Sequence, residues 1–149
     1  MKNKIKIILL IALFGELTGC EIDNTNNDVQ PWQKDMVEDL TAKEWIRNYH
    51  VVLPDQEYDE QEIIKLNKDA TGYWKTITSC KDQAPIENAG YLKWTFTTPA
   101  YEYIYMNRPT YWEIKEFTSK KLCVYETYED PVKVPDQTVR EYKEYTAKE

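Results

Sequence analysis

From Lys43 onward the chain is a succession of short runs of Tyr, Trp, Ile, Val and Thr, separated by Pro, Asp, Asn and Lys. β-branched and aromatic residues fit a pleated, half-buried surface, and runs of this length bounded by turn residues read as antiparallel strands. About eight are expected: Lys43 to Leu53, Glu62 to Asn67, Gly72 to Cys80, Tyr91 to Thr97, Tyr101 to Met106, Tyr111 to Phe117, Leu122 to Tyr128, and Thr138 to Thr146. The connections LNKDATG, TTPA, MNRPT and FTSKK are short and carry turn residues, so neighbours in sequence should pair as hairpins. No βαβ crossover has room to form between them.

Alternation gives the faces. Leu92, Trp94 and Phe96 share one side of their strand, while Lys93, Thr95 and Thr97 share the other. The same phase joins Trp112 with Ile114, Leu122 with Val124, and Ile64 with Leu66. Tyr101, Tyr103 and Tyr105 stand opposite Ile104 and Met106, so that strand is apolar on both faces. The fold class expected is all-β: an up-and-down antiparallel barrel of about eight strands, in which closure removes exposed edges, with a two-layer sandwich as the alternative. Ahead of it, Trp32, Met36, Val37 and Leu40 recur at helical intervals and predict one or two helical turns leading into the domain.

The first twenty residues, MKNKIKIILLIALFGELTGC, have a positive start and an apolar run from Ile7 to Phe14, too short to span a bilayer and of the length of a secretory leader. Leu17-Thr18-Gly19-Cys20 resembles the lipobox of bacterial lipoproteins. That resemblance implies removal of residues 1–19 and acylation of Cys20, whose chains, palmitate among them, would hold the domain at a bilayer; stable anchoring needs more than one chain. It also implies an outer-membrane, lipid-anchored location, on the periplasmic or cell-surface side. Residues 20–31, polar and rich in Asn and Asp, read as a flexible tether, which leaves residues 32–149 for one domain.

With Cys20 as anchor, Cys80 and Cys123 remain as an even pair in an oxidising compartment. The simplest reading is a disulfide, contributing at most about 4 kcal/mol. Two buried thiols are the alternative.

The formal charge is −7, and losing Lys2, Lys4, Lys6 and Glu16 with the leader takes it to −9. Such a balance argues against nucleic acid and anionic headgroups as electrostatic partners. Four glycines, two of them in the leader, leave no phosphate-cradling loop, and no cofactor is expected. His50 is the single histidine, so a Ser-His-Asp arrangement could be built only through it, and no second ligand stands at metal spacing from either cysteine. Asp55, Glu57, Asp59, Glu60 and Glu62 read as a solvated acidic loop. No catalytic residue and no metal ligand is assigned. Twelve Tyr and five Trp suit either a filled interior or a binding cavity; Trp74, Thr76, Trp94, Tyr103 (or Ile104) and Trp112 are the candidate ligand contacts, with Thr78 as a further polar group.

A series of motifs resembles the lipocalin-like lipoproteins of Bacteroidetes-type bacteria. Leu40-Thr41-Ala42-Lys43-Glu44-Trp45 is similar to their opening strand, and LNKDATGYW (66–74) to their next hairpin, with Ala42 and Ala70 where glycine is usual. Leu92-Lys93-Trp94-Thr95-Phe96 resembles the aromatic central strand, and YWEIKEFTSKKL (111–122) a later hairpin. The resemblance implies an eight-stranded barrel with Trp45 near its closed end. An Arg from the last strand lies over that Trp in many lipocalins, so Arg140 is the expected partner, by a cation–π contact of about 0.5–2 kcal/mol, or else it faces solvent. The function implied is a non-enzymatic binding module that holds a small apolar ligand or presents a surface to an envelope protein or glycan. An inhibitor or structural accessory of a basic envelope enzyme, drawn in by the acidic balance, is the alternative.

Overall fold

Turn residues cut the chain into hairpins, and the hairpins roll into a closed barrel. A computed structural model describes residues 31–137 and 139–148. Helix α1 (Pro31–Ala42) is followed by β1 (Glu44–Leu53), β2 (Gln56–Leu66), β3 (Thr71–Cys80), β4 (Ile86–Phe96), β5 (Tyr103–Met106), β6 (Thr110–Phe117), β7 (Lys121–Thr127) and β8 (Glu141–Ala147). Each strand pairs antiparallel with the next, and β8 closes on β1. The expected leader, the acylated Cys20 and residues 20–30 of the expected tether lie outside the described residues, and the tether's last residue, Pro31, instead opens α1.

α1 is longer than the one or two turns expected. Pro31 suits a first helical position, where its missing N–H costs nothing. The last turn is held by the barrel itself: Trp45 Nε1 donates to Leu40 O at 2.9 Å and Lys65 Nζ to Thr41 O at 2.6 Å, filling carbonyls that a helix end leaves unpaired. Leu40 is fully buried, and Glu38 meets Lys68 of the β2–β3 turn at 3.3 Å. Lys43 Nζ and Gln33 Nε2 bond Ser119 O and Pro99 O in two other turns of this end. The helix therefore lies across one end of the barrel as a floor.

The two halves of the barrel differ in height. β1 to β4 run 10, 11, 10 and 11 residues, whereas β5 to β8 run 4, 8, 7 and 7. Closure is confined to the floor end: β8 meets β1 only at Trp45↔Ala147 and Ile46↔Thr146, and β4 meets β5 only over Trp94–Phe96. Above these contacts the first four strands project beyond the rest.

Asp55 of the acidic run lies in the β1–β2 turn, but the rest of the run is not a loop. Gln56–Leu66 is one strand, paired with β1 through Tyr49↔Glu60, His50↔Asp59 and Arg47↔Glu62. Averaging its charge over neighbours hid its phase, in which Glu60 and Glu62 share the inward face with Ile64 and Leu66. The β2–β3 turn places Ala70 at φ 65°, the left-handed region usually left to glycine, with Asp69 Oδ1 accepting from Thr71 N and Oγ1 at 3.1 and 2.6 Å. Gly72 is required by close approach: a Cβ there would stand 2.1 Å from Lys65 O.

Two expected pairings are corrected. Cys80 and Cys123 are free thiols. Cys80 ends β3 opposite Tyr58, at the projecting end, whereas Cys123 is the third residue of β7, between Glu116 and Glu144, near the floor on a strand that does not neighbour β3. Arg140 does not reach Trp45. Because β8 descends so that Ala147 ends beside Trp45, Arg140, which precedes it, sits at the opposite end; it lies 4.3 Å from the Tyr125 ring and pairs with Glu113. Trp45 instead meets Phe117, ring centres 5.8 Å apart.

Candidate functional site

Inward side chains sort by height. Near the floor they are apolar: Trp45, Ile64, Leu66, Ile104, Met106, Leu122 and Val124 are all 0% exposed, and Leu92 and Trp94 nearly so. A side chain that a water-sized probe cannot touch borders no water-sized void, so this half is filled. Burying a Leu, Ile or Val here contributes about 1.5–3 kcal/mol each.

Higher up, the same alternation delivers charge. Arg47 lies in phase with Trp45, Glu62 with Ile64, Glu126 with Val124, and Lys143 with Tyr145. The side chains of Glu62, Glu126 and Lys143 are only 5%, 7% and 8% exposed. Lys143 Nζ stands 3.0 Å from Glu126 Oε1 and 3.5 Å from Glu62 Oε2. Arg47 reaches Glu62 at 3.7 Å and Glu141 at 2.9 Å, and Arg108, from the β5–β6 turn, faces Glu62 at 4.0 Å. Both guanidiniums stack on rings, Arg47 on Tyr49 at 4.4 Å and Arg108 on Trp74 at 4.7 Å. Isolated charges at this depth would carry a heavy desolvation penalty, so the cluster persists by mutual pairing.

Hydroxyls complete the region. Burial pushes the Tyr145 phenol well above its ordinary range, and the charges of Glu62 and Glu126 push the same way. Its Oη has the Glu62 carboxylate as a neighbouring acceptor, whereas Thr110 Oγ1 is buried with no hydrogen-bond partner. Burial, then the bond to Glu60, likewise raises Tyr49.

The sequence candidates divide. Trp74 and Thr76 line this upper interior, and Trp112, fully buried, donates through Nε1 to Glu126 Oε2 at 2.8 Å. Trp94 belongs to the floor, its Nε1 held by Asn67 O and Thr71 O at 3.0 and 3.1 Å. Tyr103 faces outward: its neighbour Ile104 takes the inward position opposite Trp112, and Tyr103 lines a small cleft of about 190 Å³ with Glu113, Pro131 and Arg140. His50 stands on the outer face, Nδ1 2.9 Å from Asp59 Oδ1. Among the described residues no group of His, Cys, Asp and Glu is disposed to hold a metal ion. Arg47, Arg108, Glu126 and Lys143 are not among the sequence candidates and Glu62 reads as solvated, although four of the five share strand phase with core residues. Comparison of the chain with protein-family models, with characterised proteins and with solved structures finds no match.

Proposed function

We propose that this chain is a lipid-anchored, non-enzymatic binding module of the bacterial outer membrane, lipocalin-like in form, which meets its partner at the charged mouth of the barrel. The observation that carries this reading is the division of the interior: a filled floor leaves no space for an apolar ligand, while the opposite end gathers stacked guanidiniums and buried carboxylates. α1 enters along the floor, so an anchor at Cys20 would leave the mouth facing away from the bilayer, toward an envelope ligand, protein or glycan. Anchoring is tested by growth with labelled palmitate and intact-mass measurement of the membrane fraction. The expected result is an acylated Cys20, with label and membrane association lost in Cys20→Ser; a soluble product with an unmodified thiol would remove this reading. Native mass spectrometry of the same material would report a bound partner.

A second reading is favoured by one feature. The β1–β2 hairpin projects with Asp55, Glu57 and Asp59 exposed, a negative tip suited to a basic envelope enzyme that the protein would inhibit or support. Co-purification with such an enzyme, lost on neutralising these three residues, would select it.

A further inference from the structure

We propose that the mouth binds the oxyanion group of a small ligand, a carboxylate or a phosphate, through the guanidinium fork of Arg108. This deepens the binding reading above and rests on it for the location of the site. Lys143 is ion-paired with Glu126 at 3.0 Å and donates to Glu62 at 3.5 Å, and Arg47 donates to Glu141 at 2.9 Å, within the range of charge-assisted hydrogen bonds. Arg108 donates no hydrogen bond among the described residues, and its nearest carboxylate oxygen, on Glu62, is 4.0 Å away. A guanidinium carries five N–H donors in a rigid plane, and a fork left unfilled matches a carboxylate or phosphate edge.

The fork is also held in place. Its Cζ lies 4.7 Å over the Trp74 ring, and Trp74 in turn fits against the bare backbone of Gly90, where a Cβ would fall 2.7 Å from the indole Nε1. The β5–β6 turn that carries Arg108 continues into Pro109, which fixes the backbone. Ordering that a flexible Arg would undergo on binding has thus largely been completed by folding. At 31% side-chain exposure the group is reachable from solvent.

Below it, one buried hydroxyl lacks a partner, Thr110 Oγ1 on the same hairpin. The Tyr145 hydroxyl is close enough to Glu62 for that carboxylate to act on it, and Glu62 is the group that Arg108 faces. An oxyanion on Arg108 would supply the acceptor that Thr110 Oγ1 lacks. The Glu62 charge is offset by three cations at 3.5, 3.7 and 4.0 Å.

The test uses the full chain in detergent, labelled with ¹⁵N, and follows the Trp74 indole N–H resonance, assigned with Trp74→Phe. Inorganic phosphate and malonate are titrated separately, with ionic strength held by chloride. A saturable shift with either anion is expected, and which of the two saturates tells phosphate from carboxylate. Arg108→Gln should weaken that binding by about tenfold or more, the order expected for losing charge-assisted bonds. Arg108→Lys, which keeps the charge and loses the fork, should fall between the two. Thr110→Val, at a position where a methyl fills the same space, should weaken binding a few-fold. No saturable shift with either anion, or equal shifts in wild type and Arg108→Gln, would overturn the proposal. Failure of acylation at Cys20 would leave this titration unaffected, so the two readings fail separately.

Discussion

The floor and the mouth of this barrel are built from the same strands with the same alternation, yet they are held together differently. Trp45, Leu66 and Leu122 at the floor need only shape and area; a few residues along those strands, Arg47, Glu62 and Glu126 need each other. Alternation decides which way a side chain points, and the residue at each inward position decides whether the space is stabilised by exclusion of water or by paired charge. The floor should therefore respond to lost volume and the mouth to lost partners.

The largest expected effect is at the floor. Trp45→Ala removes a fully buried ring that also caps α1 through Leu40 O, and should lower unfolding stability by about 3–5 kcal/mol in urea titrations. At the mouth, Lys143→Met removes almost no volume but strands Glu126 and leaves Glu62 with only the two guanidiniums, and should cost about 3 kcal/mol. Adding Glu62→Gln and Glu126→Gln to it should restore much of that loss, which no partner change could do for Trp45→Ala. An unchanged stability in Lys143→Met would break the comparison, because it would mean that the mouth is wet.

Alkaline pH separates the two ends more gently. Tyr73, on the outer face near the floor, is pushed up to about 12, first by its hydrogen bond to Glu44 and then by burial. Tyr145, in the mouth, is raised by burial first. An unfolded phenol loses its proton near pH 10. Above that pH the unfolded chain binds fewer protons than the folded one, so stability should fall from about pH 10 to 12. Tyr145→Phe should flatten the part of that fall owed to the mouth, as read from urea midpoints across the range. At the acid side Glu44, held low by Lys148 and Tyr73, contributes stability that is lost as pH falls below its ordinary value of 4.5. The smallest effect expected is a gain: Ala70→Gly relieves a left-handed alanine at the floor and should add about 0.5–1 kcal/mol.

Much of the fold could be read because a two-residue period is written directly in Leu92-Lys93-Trp94-Thr95-Phe96, and turns in LNKDATG. The start of β4 could not: Ile86 to Gly90 carries no apolar alternation, since it projects beyond the barrel and becomes a strand only through its pairing with β3. The disulfide failed because an even count of cysteines says nothing of distance, and Arg140 failed because its height depends on the direction in which the last strand runs. For the site, aromatic residues drew attention to Trp74 and Trp112, whereas the charges beside them passed as surface. Glu62 was legible in principle from its phase with Ile64 and Leu66. Arg108 was not, because a turn residue has no strand phase and its inward course is set by the stack on Trp74.

The central claim, that the floor is solid and the mouth is where this protein binds, is tested most directly by titrating the full chain with a neutral naphthylamine dye and following its fluorescence. A filled barrel predicts no saturable one-to-one enhancement. Stoichiometric uptake of the dye, with quenching of the buried tryptophans, would show a hollow interior and contradict the account.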